Sequence, residues 1–141
     1  MKRLKEMTLQ GTLADLSEKL LIDNTLAGIG WKIEKFEIII RDTNLVNKNT
    51  AIARLSTASI ADPTQTLFDR NDVIGIATYG GGGRTEMIDN QHLITNELYM
   101  QNITRVVDIS DPTIDYQITL GQYQISDLEH VVSLVKQEQA D

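Results

Sequence analysis

The chain has 141 residues, 41% of them hydrophobic and 23% charged, with 20 acidic against 13 basic side chains and a net charge of −7. This is the composition of one folded domain; it excludes disordered and fibrous classes and disfavours broad binding to nucleic acid or anionic membrane. Cysteine is absent, which removes disulfides, thiolate metal sites and cysteine nucleophiles and fits a reducing compartment.

No window approaches the roughly 20 apolar residues that a membrane helix requires. The start M-K-R-L-K-E-M-T-L-Q lacks the apolar run of about 7–15 residues of a secretory signal. The expectation is a product made in the cytoplasm, without membrane contact.

Residues 1–16 read as an N-terminal arm or edge strand. Lys2, Arg3 and Lys5 crowd its tip, a candidate contact for an acidic partner in an otherwise acidic chain; the plainer reading is a solvated basic end. A short apolar run follows at 19–23. The strand at 30–41, G-W-K-I-E-K-F-E-I-I-I-R, organises the rest. It holds the only tryptophan and the densest isoleucine run, and such residues suit a pleated, half-buried surface. Trp31 and Ile33 share one parity, whereas Phe36, Ile38 and Ile40 share the other. A β-bulge near Glu34 and Lys35 would bring both sets to one buried face, with Lys32, Glu37 and Arg41 outward.

Residues 50–59 predict a strand with small side chains, and 61–70 a surface loop with Leu67 and Phe68 folding back as an anchor. A strand at 72–79, interrupted at Gly75, runs into Gly80, Gly81, Gly82 and Gly83. Two more strands, 84–88 and 93–102, flank a turn at Asp89 and Asn90. A hairpin is expected between 104–109 and 114–125, and Gly121 marks a second parity shift, from Tyr116, Ile118 and Leu120 to Tyr123 and Ile125. Ser126 and Glu129 form a capping box, and Leu128, Val131, Val132 and Val135 recur at helical spacing, predicting a helix to about residue 137. About eight short strands at spacings of about 8–12 residues point to an all-β fold. The expected architecture is a jelly-roll-like antiparallel β-sandwich over 17–125, with the arm before it and the helix and tail, 126–141, after it. An immunoglobulin-type sandwich is second.

Candidate chemistry is sparse. His92 and His130 stand in no catalytic or metal motif and read as surface or boundary residues. The glycine run lacks the G-K-[ST] ending of a phosphate loop and reads as a hairpin tip, either mobile or fixed by a partner pressed on its backbone. Arg84, beside it, joins the candidate contact residues. Asp108, Asp111 and Asp115 invite a calcium reading, but their spacing is not that of an EF-hand loop. Tyr79, Arg84 and Tyr99 are the residues a sugar-binding face would use, although aromatic content is only 5%. No cofactor, metal site or catalytic residue is expected.

With these residues in view, the chain resembles a loosely defined group of small structural proteins of tailed bacteriophages, notably marine ones. The likeness is carried by Gly30-Trp31-Lys32-Ile33 with Phe36-Glu37-Ile38, by Leu98-Tyr99-Met100, and by Ile114-Asp115-Tyr116 with Ile118 and Leu120, followed by Ser126-Asp127 and the helix. It runs over most of the chain from about residue 17. The resemblance implies a virion component, first of all a capsid decoration (cement) protein, binding the major capsid protein or other virion subunits as a homo-oligomer. No catalytic residues belong to the pattern, so a non-enzymatic role is implied. The alternative is a tail-associated receptor- or carbohydrate-binding β-sandwich. A jelly-roll metalloenzyme would need a histidine cluster, which two distant histidines do not furnish.

Overall fold

Burying one face of the isoleucine-rich strand determines which strands become its neighbours. The computed structural model of the chain describes residues 2–13, 17–21, 28–41, 50–61, 65–80, 83–94, 97–104 and 113–124. Among them are eight strands: β1 (Lys2–Leu13), β2 (Ser17–Leu21), β3 (Ile29–Ile40), β4 (Ala51–Ser56), β5 (Val73–Gly80), β6 (Gly83–Ile88), β7 (Glu97–Asn102) and β8 (Ile114–Gln124). The described chain is all-β, with antiparallel strands in two sheets of order β1-β8-β3 and β2-β7-β4-β5-β6. The expected C-terminal helix, and most of the expected strand at 104–109, lie outside the described residues.

The bulge expected in β3 is present. Ile33 pairs with Leu120 and Lys35 with Thr119, leaving Glu34 as the extra residue. The shift puts Trp31, Ile33, Phe36, Ile38 and Ile40 on one face, each no more than 3% exposed. They meet Ala51, Ala53 and Leu55 of β4, Ile74 and Ala77 of β5, Leu98 and Met100 of β7 and the inward residues of β8 in one core. Side chains of both sheets therefore contribute to it. Full burial of each large aliphatic side chain contributes about 1.5–3 kcal/mol.

Two expectations for β8 are corrected. It is not one arm of a hairpin with 104–109, because both its edges are taken, by β1 and by β3. Nor does it carry a bulge at Gly121, which pairs in register with Glu6 and Lys32. The second irregularity of this sheet lies instead in β1, between Arg3 and Lys5. Tyr116, Ile118 and Leu120 enter the core, and Tyr123 simply occupies the opposite face, where its hydroxyl finds a partner.

The far face of the five-stranded sheet is covered by the chain between β4 and β5. Leu67 and Phe68 fold back onto Ile60, Val73 and Ile76, as expected of the anchor, and Leu67 turns the chain with a φ of 52°. Beneath them lies Arg54, wholly buried. Its Nε donates to Gln101 Oε1 at 2.8 Å, its Nη2 to the same oxygen and its Nη1 to the Gln65 carbonyl, while Gln101 Nε2 donates to the Ile60 carbonyl at 2.7 Å. A buried guanidinium is tolerated only when hydrogen-bonded in this way. The network ties the covering loop to β4 and β7. Arg54→Met would leave Gln101 and the Gln65 carbonyl without their donor, at a cost of about 2–4 kcal/mol. The expected result is a lowered urea midpoint together with native-state proteolysis within 57–72; an unchanged midpoint would contradict the role given to Arg54.

Candidate functional site

A polar concavity lies where the two sheets meet edge to edge. β3 is the outer strand of the three-stranded sheet and β6 that of the five-stranded sheet, and they run side by side without a ladder. On β6, Arg84 and Glu86 pair across to Tyr79 and Ala77, residues that pack on the main core. Their parity is therefore inward. Charged residues at inward positions mark a protected edge strand, and here they reach across to β3. Glu86 Oε2 accepts the Phe36 backbone N–H at 2.7 Å, and Arg84 Nη1 lies 3.6 Å from Glu37 Oε2.

This ion pair separates two grooves. One, of about 280 Å³, is lined by Phe36, Glu37, Thr78, Arg84, Thr85 and Glu86. The other, of about 230 Å³, is lined by residues including Glu37, Ile38, Ile39, Arg84, Asp115 and Gln117. The seam thus presents the carboxylates Glu37, Glu86 and Asp115 around the single guanidinium of Arg84.

The contact residues expected from sequence divide between two places. Gly80 and Gly83 close the β5–β6 hairpin as a cross-strand pair, and Gly80 has a φ of 122°, a conformation open to glycine. The hairpin-tip reading of the glycine run therefore holds for the two described glycines; Gly81 and Gly82 lie outside the described residues. Arg84 stands at this tip and Glu86 at Phe36, so the tip lies toward the Ile40 end of β3. Lys2, Arg3 and Lys5 are at the other end, since Lys2 and Ile29 both pair with Gln124. The basic residues and the glycine turn do not form one site.

Nor is the N-terminus a projecting arm. β1 pairs with β8 from Lys2 to Leu13, so it is an edge strand of its own sheet. Lys2, Arg3 and Lys5 are all exposed, but Arg3 is engaged within the chain. Its Nε and Nη2 clasp Glu34 at 2.9 and 2.7 Å, reaching over β8, and Tyr123 donates its hydroxyl to Glu34 Oε2 at 3.1 Å. Lys32 Nζ lies 4.9 Å from the centre of the Tyr123 ring. Gly121 leaves the space for this carboxylate, since a Cβ there would stand 2.6 Å from Glu34 Oε2. The Arg3 hydrogen bonds hold the Glu34 carboxyl below the usual glutamate range, the Tyr123 hydroxyl adding to them against the opposing effect of burial. The same bond to Glu34 raises the Arg3 guanidinium, and burial is the first cause of the raised Tyr123 hydroxyl.

The remaining candidates do not converge. Tyr79 packs on the main core, whereas Tyr99 lies on the opposite parity from the core residues Leu98 and Met100, donating to Glu97 Oε2 at 3.0 Å near Lys19. They share no sugar-stacking platform. His92, expected as a surface or boundary residue, is 2% exposed, because the segment linking β6 to β7 turns back to bridge Trp31 through Ile94. Asp115 Oδ1 accepts from Thr12 Oγ1 at 2.6 Å, and Asp108, Asp111 and His130 lie outside the described residues. Among the described residues no group of three or more carboxylates and histidines could hold a metal ion. Of the seam carboxylates only Asp115 was singled out from the sequence, and then for calcium; Glu37 and Glu86 were not, although Arg84 and Glu86 at alternate positions of a strand were a visible sign of an edge.

No protein-family model and no curated protein matches this chain.

The Glu34 contact has a pH signature. Because its folded-state pKa is lowered, its stabilising effect is complete above the ordinary value of 4.5 and is lost as pH falls below 4.5 through the folded value. Urea unfolding from pH 7 to pH 3 tests this: wild type is expected to exceed Glu34→Gln above pH 4.5 and to converge with it in acid. A constant difference across the range would contradict the assignment.

Proposed function

We propose that the chain is a non-enzymatic structural protein of a bacteriophage virion, a capsid decoration or cement protein of jelly-roll type that binds the assembled shell as a homo-oligomer. The observation that carries the reading is where the phage-like residues fall. Gly30-Trp31-Lys32-Ile33 with Phe36-Glu37-Ile38, and Ile114-Asp115-Tyr116 with Ile118 and Leu120, belong to antiparallel neighbours, β3 and β8, whose inward residues build the core. The resemblance is thus a likeness of scaffold, the part that a cement protein shares with its kind while its contacts vary.

The strand orders support the jelly-roll wiring of the sandwich. The pairs β1 with β8, β2 with β7 and β4 with β5 nest within one another along the chain, and β3 runs beside β6, as in one long hairpin rolled up. Lys2 and Lys5, exposed on the edge strand β1, suit addition to the edge of a capsid-subunit sheet. The protein is made in the host cytoplasm and resides in the virion, with the major capsid protein or another virion subunit as its partner. Nothing in the reading needs a cofactor, nucleic acid or membrane. The tail-associated receptor- or carbohydrate-binding alternative has less behind it, because Tyr79 and Tyr99 face opposite sides of their sheet.

Pelleting with purified bare capsids is the test. The protein is expected to sediment with the shells to saturation and to raise their melting temperature by several degrees. Protein left in the supernatant with capsid melting unchanged would overturn the proposal.

A further inference from the structure

We propose that the open edge of β1 is where a second copy of this chain joins the first, the two β1 strands pairing antiparallel about a twofold axis at Thr8. This gives the homo-oligomer of the proposed function its contact and rests on no other part of that reading. β8 is the only described strand that lies along β1, so the other edge is unladdered among the described residues. Register shows which backbone groups face that edge. The Phe36 N–H points away from β8, to Glu86, so Phe36 and Ile118 stand opposite without exchanging backbone bonds. Ile118 therefore turns its N–H and carbonyl to its other neighbour, Leu9. Leu9 is bonded to β8, and alternation makes Glu6, Thr8 and Gln10 present theirs to the open edge.

Long open edges are templates for pairing, and proteins blunt them with bulges, prolines and inward charges. On β1 such devices stand at the start, as the register shift between Arg3 and Lys5 and the cation of Lys5 at the parity of Met7. From Glu6 to Leu13 there is no register shift, proline or inward charge. One register suits the side chains best. With Thr8 opposite Thr8 of the second copy, Met7 meets Leu9 twice and Glu6 meets Gln10 twice. Met7 and Leu9 are half-buried against the core, and pairs without backbone bonds bring side chains closest, so the core continues across the axis. Gln10 Oε1 accepts from Gln117 at 3.0 Å, which leaves Gln10 Nε2 to donate to Glu6 of the second copy. Lys5 falls opposite Gly11, where its side chain has room. A twofold at Leu9 would set Met7 against Gly11, and one at Gln10 would set Leu9 there. An axis at Met7 would set Lys5 against Leu9, and one at Glu6 would oppose two carboxylates. Lys2 lies outside the paired stretch and stays available to a capsid subunit.

Sedimentation velocity of the full chain at rising concentration reads the association, and amide exchange reads its place. A reversible dimer is expected, with exchange at Glu6, Thr8 and Gln10 slowed at least tenfold between dilute and concentrated protein. Thr8→Pro removes only an outward N–H, so β1 keeps its bonds to β8. With melting of the dilute monomer unchanged, that variant should dimerise at least tenfold more weakly. The chain has no cysteine, so mixed Met7→Cys and Leu9→Cys chains treated with diamide should link to each other faster than either links to itself. A monomer at every concentration, a dimer with exchange at Thr8 unchanged, a dimer untouched by Thr8→Pro, or faster linkage of Leu9→Cys to itself would overturn the proposal. So would slow exchange at Thr8 in the dilute monomer, which would mean that the chain itself covers the edge. Capsid pelleting reads the virion proposal separately.

Discussion

One inserted residue, Glu34, sets the geometry of the three-stranded sheet. Without it, Trp31 and Ile33 would face away from Phe36, Ile38 and Ile40, and half of the strand's apolar surface would be left to water. With it, the whole run is buried and the backbone is bent at the point where the extra side chain emerges outward. That side chain is a carboxylate, and it crosses the glycine of β8 to reach Arg3 of β1. A single irregularity thus completes the core and fastens an edge strand two strands away.

The five-stranded sheet solves a different problem, since its far face would otherwise be open. The chain between β4 and β5 covers it, with Leu67 and Phe68 as apolar anchors and Arg54 as a polar one. The guanidinium gathers the side-chain oxygen of Gln101 and a carbonyl of the loop, so the cover is held by directional bonds as well as by burial. Where the two sheets approach at β3 and β6, side chains rather than backbone close the gap. The Arg54 network is satisfied inside, whereas Trp31 Nε1 and Thr57 Oγ1 are buried without a hydrogen-bond partner among the described residues.

How much of this was legible in the sequence depended on whether burial or partnership decided each residue. The β3 bulge could be read because five strongly apolar side chains admit only one face. The same logic failed at Tyr123, whose ring and hydroxyl suit an outward position as well as a core one. Leu67 and Phe68 could be read as an anchor because they are a lone apolar pair in a polar loop. Arg54 could not, because a charged residue on the outer parity of a strand reads as solvated until a loop covers it. The placement of β8 between β1 and β3 was hidden for a topological reason: the default expectation pairs strands close in sequence, and here the paired strands are far apart. For the seam, alternation at Arg84 and Glu86 was visible, but the facing strand was not.

The fold therefore leaves its exposed chemistry at its margins. The interior of β3 and β8 is spent on packing, His92 is buried within the fold, and the exposed chemistry of the described residues includes the basic tip of β1 and the acidic seam. Electron cryomicroscopy of bare capsids with and without the added protein tests the central claim most directly. The account expects a difference map with ordered density on the shell, joined to it through sheet edges or the glycine turn. A map with no added density at saturating protein would contradict it.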